Sequence, residues 1–193
     1  MRFPLTHALC TGALLAVVAT FQLSCPGQDD DDDAPAPIDY EITVVALPDT
    51  QAYAQNYPTV FVDQAEWIVD NAEAEGIGFV THLGDIVNHG NDEQQWANAR
   101  EAMDLIHEAG IPYGTALGNH DTNDGGYGSA SSPAGCSADP DPECAGRIYI
   151  ENFGPNRYAD EAWYGGASPS ALSNYQLLEV QGQELLFLHL VVD

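Results

Sequence analysis

Residues 40–193 predict an α/β domain of parallel strands joined by crossover helices, in a layered architecture. Three observations carry that expectation. Short β-branched apolar runs recur along the chain, stretches of helical apolar period lie between them, and polar residues interrupt the pattern just after each run. The first run, Ile42 to Leu47, reads as a strand that Pro48 stops. Pro58 and Thr59 then open a helix in which Phe61, Ala65, Ile68 and Ala72 share a face, with Gly76 as its stop. Phe79 to Val87 is apolar almost throughout, as expected of a strand covered on both faces. Asp92 and Glu93 favour the positive end of a second helix dipole. Trp96, Ala99, Met103 and Ile106 recur along that helix until Gly110. Ile111 to Leu117 is the third strand, and Tyr175 to Val192 resembles a hairpin.

Charge removes several function classes. The chain of 193 residues has 30 Asp and Glu against 4 Lys and Arg, a formal charge of −26. Nucleic acids and anionic membranes are held by basic patches that displace counterions, and this surface has none to offer. At 45% hydrophobic and 18% charged the chain is nevertheless a core-former, not a disordered acidic tail.

The first residues read as targeting sequence. Arg2 precedes an apolar run from Ala8 to Phe21, too short to span a bilayer comfortably and suited to a signal-peptide core. The run ends in Gln22-Leu23-Ser24-Cys25, which resembles a lipobox, with Gln22 departing from the usual aliphatic residue. The expected organisation is therefore a signal peptide over 1–24, an acidic and Pro-rich tether over 25–39, and the domain over 40–193. Cys25 is the expected lipidation site. The alternative is ordinary secretory cleavage nearby. Either way the protein is exported, to the bacterial envelope as a lipoprotein or to the periplasm or exterior, and meets a membrane only through the lipid. Cys136 and Cys144 lie in a Gly/Pro/Ser/Asp-rich segment without an accompanying histidine. In an oxidising compartment they read as a loop-stapling disulfide.

The interrupting polar residues form a set. Asp49 and Gln51 follow the first strand, Asp85 ends the core of the second, and Asn119, His120 and Asp121 follow the third. Successive groups are separated by roughly one strand–helix unit, about 35 residues. Parallel strands thus bring them together at their carboxyl ends, where open α/β sheets place ligands. Two carboxylates and two amides converging without a basic residue would repel and desolvate badly. Metal ions resolve that conflict.

Three blocks, Leu47-Pro48-Asp49-Thr50-Gln51, Gly84-Asp85-Ile86-Val87-Asn88-His89-Gly90 and Gly118-Asn119-His120-Asp121, resemble the first blocks of the calcineurin-like metallophosphoesterases. The likeness continues through Trp163-Tyr164-Gly165-Gly166. The resemblance implies a layered β-sandwich flanked by helices and a two-metal site that hydrolyses a phosphate mono- or diester. By that likeness Asp49 and Gln51 hold the first metal, Asp85 bridges both, and Asn119 binds the second. His120 faces the leaving-group oxygen, oriented by Asp121. Gln51 stands where an imidazole is usual, and its amide oxygen moves the expected metal from zinc or iron toward manganese, magnesium or calcium.

The family completes its site with a later histidine and a Gly-His-x-His block. Here the only histidine after His120 is His189, inside an apolar run. The chain is accordingly expected to represent the first half of such a domain and to be weak or inactive alone. A non-catalytic envelope binding protein that keeps the fold is the alternative. His82, within the second apolar run, reads as structural.

Overall fold

The computed structural model describes residues 17–20, 41–122, 136–140 and 144–191. Cys25 and the 25–39 tether lie outside the described residues. The elements are strands β1 (Val17–Thr20), β2 (Thr43–Leu47), β3 (Ile77–His82), β4 (Tyr113–Thr115), β5 (Tyr164–Ala167), β6 (Asn174–Val180) and β7 (Gln183–His189). The α-helices are α1 (Gln51–Asn56), α2 (Pro58–Asn71), α3 (Glu93–Glu108) and α4 (Arg147–Phe153), and a 3₁₀ turn covers Pro155–Tyr158. Among the described residues, no helix is long and apolar enough to cross a membrane.

Two sheets form. The first has the order β1-β2-β3-β4, with β2, β3 and β4 parallel as expected and β1 antiparallel on the outer side of β2. Strand β1 falls inside the stretch that reads as a leader, so this pairing describes the chain with that stretch attached. The second sheet is the antiparallel β5-β6-β7. Its β6–β7 hairpin turns through Gln181 and Gly182, both at positive φ (50° and 82°), as a tight two-residue hairpin loop requires.

Alternation sorts the first sheet's side chains into two faces. Val45, Leu47, Val80 and Tyr113 join Phe61, Ala65 and Ile68 of α2 and Trp96, Ala99, Met103 and Ile106 of α3 in the main core. Phe79 faces the other way, with Ile42 and Leu178, and stacks on Phe187 at 3.7 Å between ring centroids. Helices therefore cover one face of the parallel sheet and the second sheet covers the other. This is the layered sandwich.

The second apolar run is shorter as a strand than the sequence suggests. β3 stops at His82, because Gly84 and Asp85 both take positive φ, 101° and 49°. The apolar residues Ile86 and Val87 are buried in a loop, not in the sheet. Helices α1 and α4 were not anticipated. α1 has no amphipathic period to announce it, and α4 follows the disulfide joining Cys136 to Cys144, whose Cα atoms are 4.9 Å apart.

Between the sheets lies a polar layer. His189 is buried, its Nε2 is 2.9 Å from Thr81 Oγ1, and its ring sits over Gly114, where a Cβ would come within 2.3 Å of it. Burial holds the His189 imidazole down at about 4, from its ordinary 6.5. In the unfolded chain it takes a proton near 6.5, whereas the folded chain refuses it until about 4. The neutral ring's contribution is thus complete above pH 6.5 and is lost as pH falls toward 4, a loss on the order of 3 kcal/mol. His189→Gln should make the rise of unfolding free energy with pH in that window shallower, leaving the share that buried His82 contributes, as measured by denaturant melts. An unaltered slope would exclude His189 as its source.

Candidate metal centre

The parallel register aligns the strand ends in one row. Leu47 lies opposite His82, and His82 opposite Thr115. The segments that follow, 48–51, 83–90 and 116–122, therefore leave the sheet side by side. They carry Asp49 and Gln51, Asp85, and Asn119, His120 and Asp121 respectively.

The second and third segments touch backbone to backbone. A Cβ on Gly118 would lie 2.1 Å from Asp85 N and 2.2 Å from Asp85 Oδ1, so only glycine fits there. Asp85 itself is held at φ 49°, an uncommon conformation for a residue with a side chain. Its Oδ1 accepts a hydrogen bond from the His120 N–H at 2.9 Å. The Asp121 carboxylate ties the same two segments from inside. It is fully buried, and its oxygens accept from Val87 N–H at 3.0 Å and Gly118 N–H at 2.8 Å. Burial pushes the Asp121 carboxyl up to about 7, backbone donors pull it back, and the Asp85 charge pushes it further up.

His120 is held at Nδ1 by a backbone carbonyl. Its Nδ1 lies 3.0 Å from the Asn88 backbone carbonyl. A carbonyl only accepts, so Nδ1 carries the hydrogen, and any proton the ring exchanges moves at Nε2. The two carboxylate bonds described for Asp121 go to the loop backbone, which makes it a clamp for the loops that carry Asp85 and His120. The Asn88 carbonyl is fixed in turn. Gln95 Oε1 accepts from both Asn88 N–H (2.9 Å) and His89 N–H (3.1 Å), and Trp96 Nε1 donates to Gly90 O at 2.9 Å. Gln95 stands three residues after Asp92, which caps α3 by accepting from Gln94 N–H and Gln95 N–H. The Asp92-x-x-Gln95 spacing is the one signal in the sequence for this arrangement, since it matches a helix-capping pair.

The first segment is fastened to the second through His82. Buried completely, it is kept neutral, down at about 3, chiefly by desolvation. His82 Nδ1 accepts from Gly84 N–H at 3.2 Å, and its Nε2 lies 2.9 Å from Thr50 Oγ1. The Thr50 hydroxyl donates to Ile86 O at 3.0 Å. Asp49 is exposed beside this linkage, and Gln51 opens α1.

Among the described residues, no three or more His, Cys, Asp and Glu side chains cluster closely enough to hold a metal ion. Asp49, Gln51, Asp85 and Asn119 are a different kind of donor set, because two of the four are amides. Their chemistry fits a hard cation, which prefers carboxylate and amide oxygens. One atom asks for such a partner: Gln51 Oε1 is buried and, among the described residues, has no hydrogen-bond partner. Of the described arginines, Arg147 pairs with Glu151 and Arg157 with Asp104.

The description of the calcineurin-like phosphoesterases matches residues 42–189, which include all three strand-end segments. The chain belongs to the calcineurin-like phosphoesterase family. It is 35% identical over 150 residues to an uncharacterized protein, YvnB, of Bacillus subtilis (strain 168), over 77% of this chain. The chain spans about a tenth of that relative's length (10%). Among solved structures, a purple acid phosphatase from yellow lupin (Lupinus luteus) seeds is 16% identical. It aligns with a TM-score of 0.40 over 74% of this chain and 25% of that one. As a calcineurin-like phosphoesterase, the chain carries its Asp49-x-Gln51, Gly84-Asp85 and Gly118-Asn119-His120-Asp121 segments at the ends of parallel strands β2, β3 and β4.

Gly118→Ala tests whether the backbone approach sets the position of Asp85. The added methyl forces Asp85 away, and a stability loss of about 1–3 kcal/mol is expected. The His120 amide should exchange faster with solvent as its bond to Asp85 Oδ1 breaks. Unchanged exchange at His120 would show that the loops tolerate the separation.

Proposed function

We propose that this protein hydrolyses a phosphate mono- or diester using two divalent cations held by Asp49, Gln51, Asp85 and Asn119. The observation that carries the reading is the buried Gln51 Oε1, unpartnered among the described residues and set at the same row of strand ends as the two carboxylates. When bound, such cations lower the pKa of water and screen the charge that develops on the phosphoryl oxygens. With amide oxygens in place of imidazole, manganese, magnesium or calcium suits the set better than zinc or iron.

The chain's own residues divide the remaining work. Asp85, with its Oδ1 on the His120 N–H, fixes the carboxylate and the histidine relative to each other. His120 supplies or accepts a proton at Nε2, the nitrogen opposite the one engaged with Asn88. Asp121 and Gln95 keep the loops from separating as charge builds. Export belongs to the same proposal. Residues 1–24 direct the chain out of the cytoplasm, Cys25 carries a lipid, and the tether holds the domain off the membrane. The non-catalytic reading has one observation in its favour, the absence of an imidazole from the proposed ligands.

Titration of the full chain with Mn²⁺, followed by calorimetry and by cleavage of an aryl phosphoester, separates the two. Asp85→Asn should lose both cation binding and turnover. His120→Ala should keep the cation and lose about two orders of magnitude or more in kcat. Cation binding without any cleavage, in protein that melts cooperatively, would favour the binding protein.

A further inference from the structure

His82 and Thr50 do more than fill the core. Thr50 is the N-cap residue of α1, the place where a threonine hydroxyl ordinarily accepts from the helix's first N–H groups, yet it makes no such cap. Its hydroxyl hydrogen goes instead to Ile86 O, across 3.0 Å. Having one hydrogen to give, Thr50 Oγ1 must be the acceptor in its 2.9 Å contact with His82, so His82 Nε2 carries the ring hydrogen. His82 Nδ1 is then the lone-pair nitrogen, which is what the Gly84 N–H donating to it at 3.2 Å requires. The three bonds have one consistent direction: Gly84 N–H to His82, His82 to Thr50, Thr50 to Ile86 O.

The attachment points are informative. Thr50 stands between Asp49 and Gln51, and Gly84 and Ile86 stand on either side of Asp85. The relay therefore joins the loops carrying three of the four proposed cation ligands, on both flanks of the shared carboxylate. A phenylalanine would also pack against Phe61, whose ring lies 6.0 Å from that of His82, but could make none of these bonds. Neither His82 nor Thr50 exposes any surface, so neither can itself meet substrate.

We propose that the Thr50–His82 relay is a positioning device that fixes the separation of the Asp49/Gln51 loop from Asp85 and so sets divalent-cation affinity. The proposal rests on the phosphoesterase reading above for the identity of the ligands. Thr50→Val keeps the shape and removes the hydroxyl; Thr50→Ser keeps the hydroxyl. Phe187→Leu, between the sheets, serves as a control for destabilisation alone. On the full chain, Thr50→Val should weaken Mn²⁺ binding by roughly tenfold or more, the loss typical when a partner of a metal ligand is removed. Thr50→Ser should restore it to near the wild-type level, and Phe187→Leu should leave it unchanged at matched loss of stability. Equal Mn²⁺ affinity in Thr50→Val and wild type would overturn the proposal, as would an equal loss in Phe187→Leu.

Nitrogen-15 spectra of the His82 ring and exchange of the Gly84 amide report on the relay without any cation. Wild-type protein should show a single Nε2–H tautomer and a protected Gly84 amide, with protection lost in Thr50→Val and kept in Thr50→Ser. Wild-type protein that binds no Mn²⁺ would remove the phosphoesterase ligand set and, with it, the role in affinity. A mobile or Nδ1–H ring would remove the relay even if Mn²⁺ binds.

Discussion

Everything at the strand ends depends on the close approach of two loops, 83–90 and 116–122, and on the buried carboxylate that makes it possible. Two polypeptide backbones in contact present N–H groups that water can no longer satisfy. Asp121 accepts two of them, from Val87 and Gly118, and does so from a fully buried position. Its desolvation, visible in a carboxyl pushed up to about 7, is the cost of that service. The glycines at 84 and 118 are the steric side of the same constraint. One supplies a positive φ, and the other leaves room for Asp85.

From this contact the arrangement of the site follows outward. Asp85 is forced into the left-handed region, which turns its side chain onto the His120 amide. The His120 ring, starting from an anchored backbone, reaches the Asn88 carbonyl of the opposite loop. That carbonyl is held because α3 begins there: Asp92 caps the helix, and Gln95, a turn inside it, uses its side-chain oxygen on the loop. The main core under α3, with Trp96 at its top, thus reaches the site through only a few bonds. Hydrogen bonds as well as packing therefore link the core to the site.

The order of elements was legible because burial on both faces writes a plain signal. β2, β3 and β4, with α2 and α3 between them, coincide with the apolar runs and helical periods within a few residues. The candidate groups at the strand ends stand out in the sequence because polar residues next to such runs are costly unless they serve a purpose. What the sequence hid is local backbone geometry. Ile86 and Val87 are apolar because they are buried beneath a loop, and nothing in their chemistry distinguishes that from a strand. Helix α1 is too short to show a period, so Gln51 reads as a loop residue although it opens a helix. The partner of His120 could not be read either. A backbone carbonyl has no letter of its own, so the Asn88 contact at Nδ1 leaves no trace in the sequence.

Charge gives the last constraint. A phosphoester is an anion, and a chain with a net charge of −26 repels it at long range except where salt screens the field. Many phosphate sites solve this with arginine or lysine. Here there is no lysine, Arg147 and Arg157 are committed to Glu151 and Asp104, and Arg157 also packs over the Tyr113 and Phe153 rings. Under the proposed function, cations bound by oxygen donors would supply positive charge at the strand ends. The four proposed donors, one of them an amide oxygen that is buried and unpartnered among the described residues, would on that reading make the acidity a reason for metal dependence. On the proposed reading, that acidity would make the attraction for a phosphoester depend on the ions held at the strand ends.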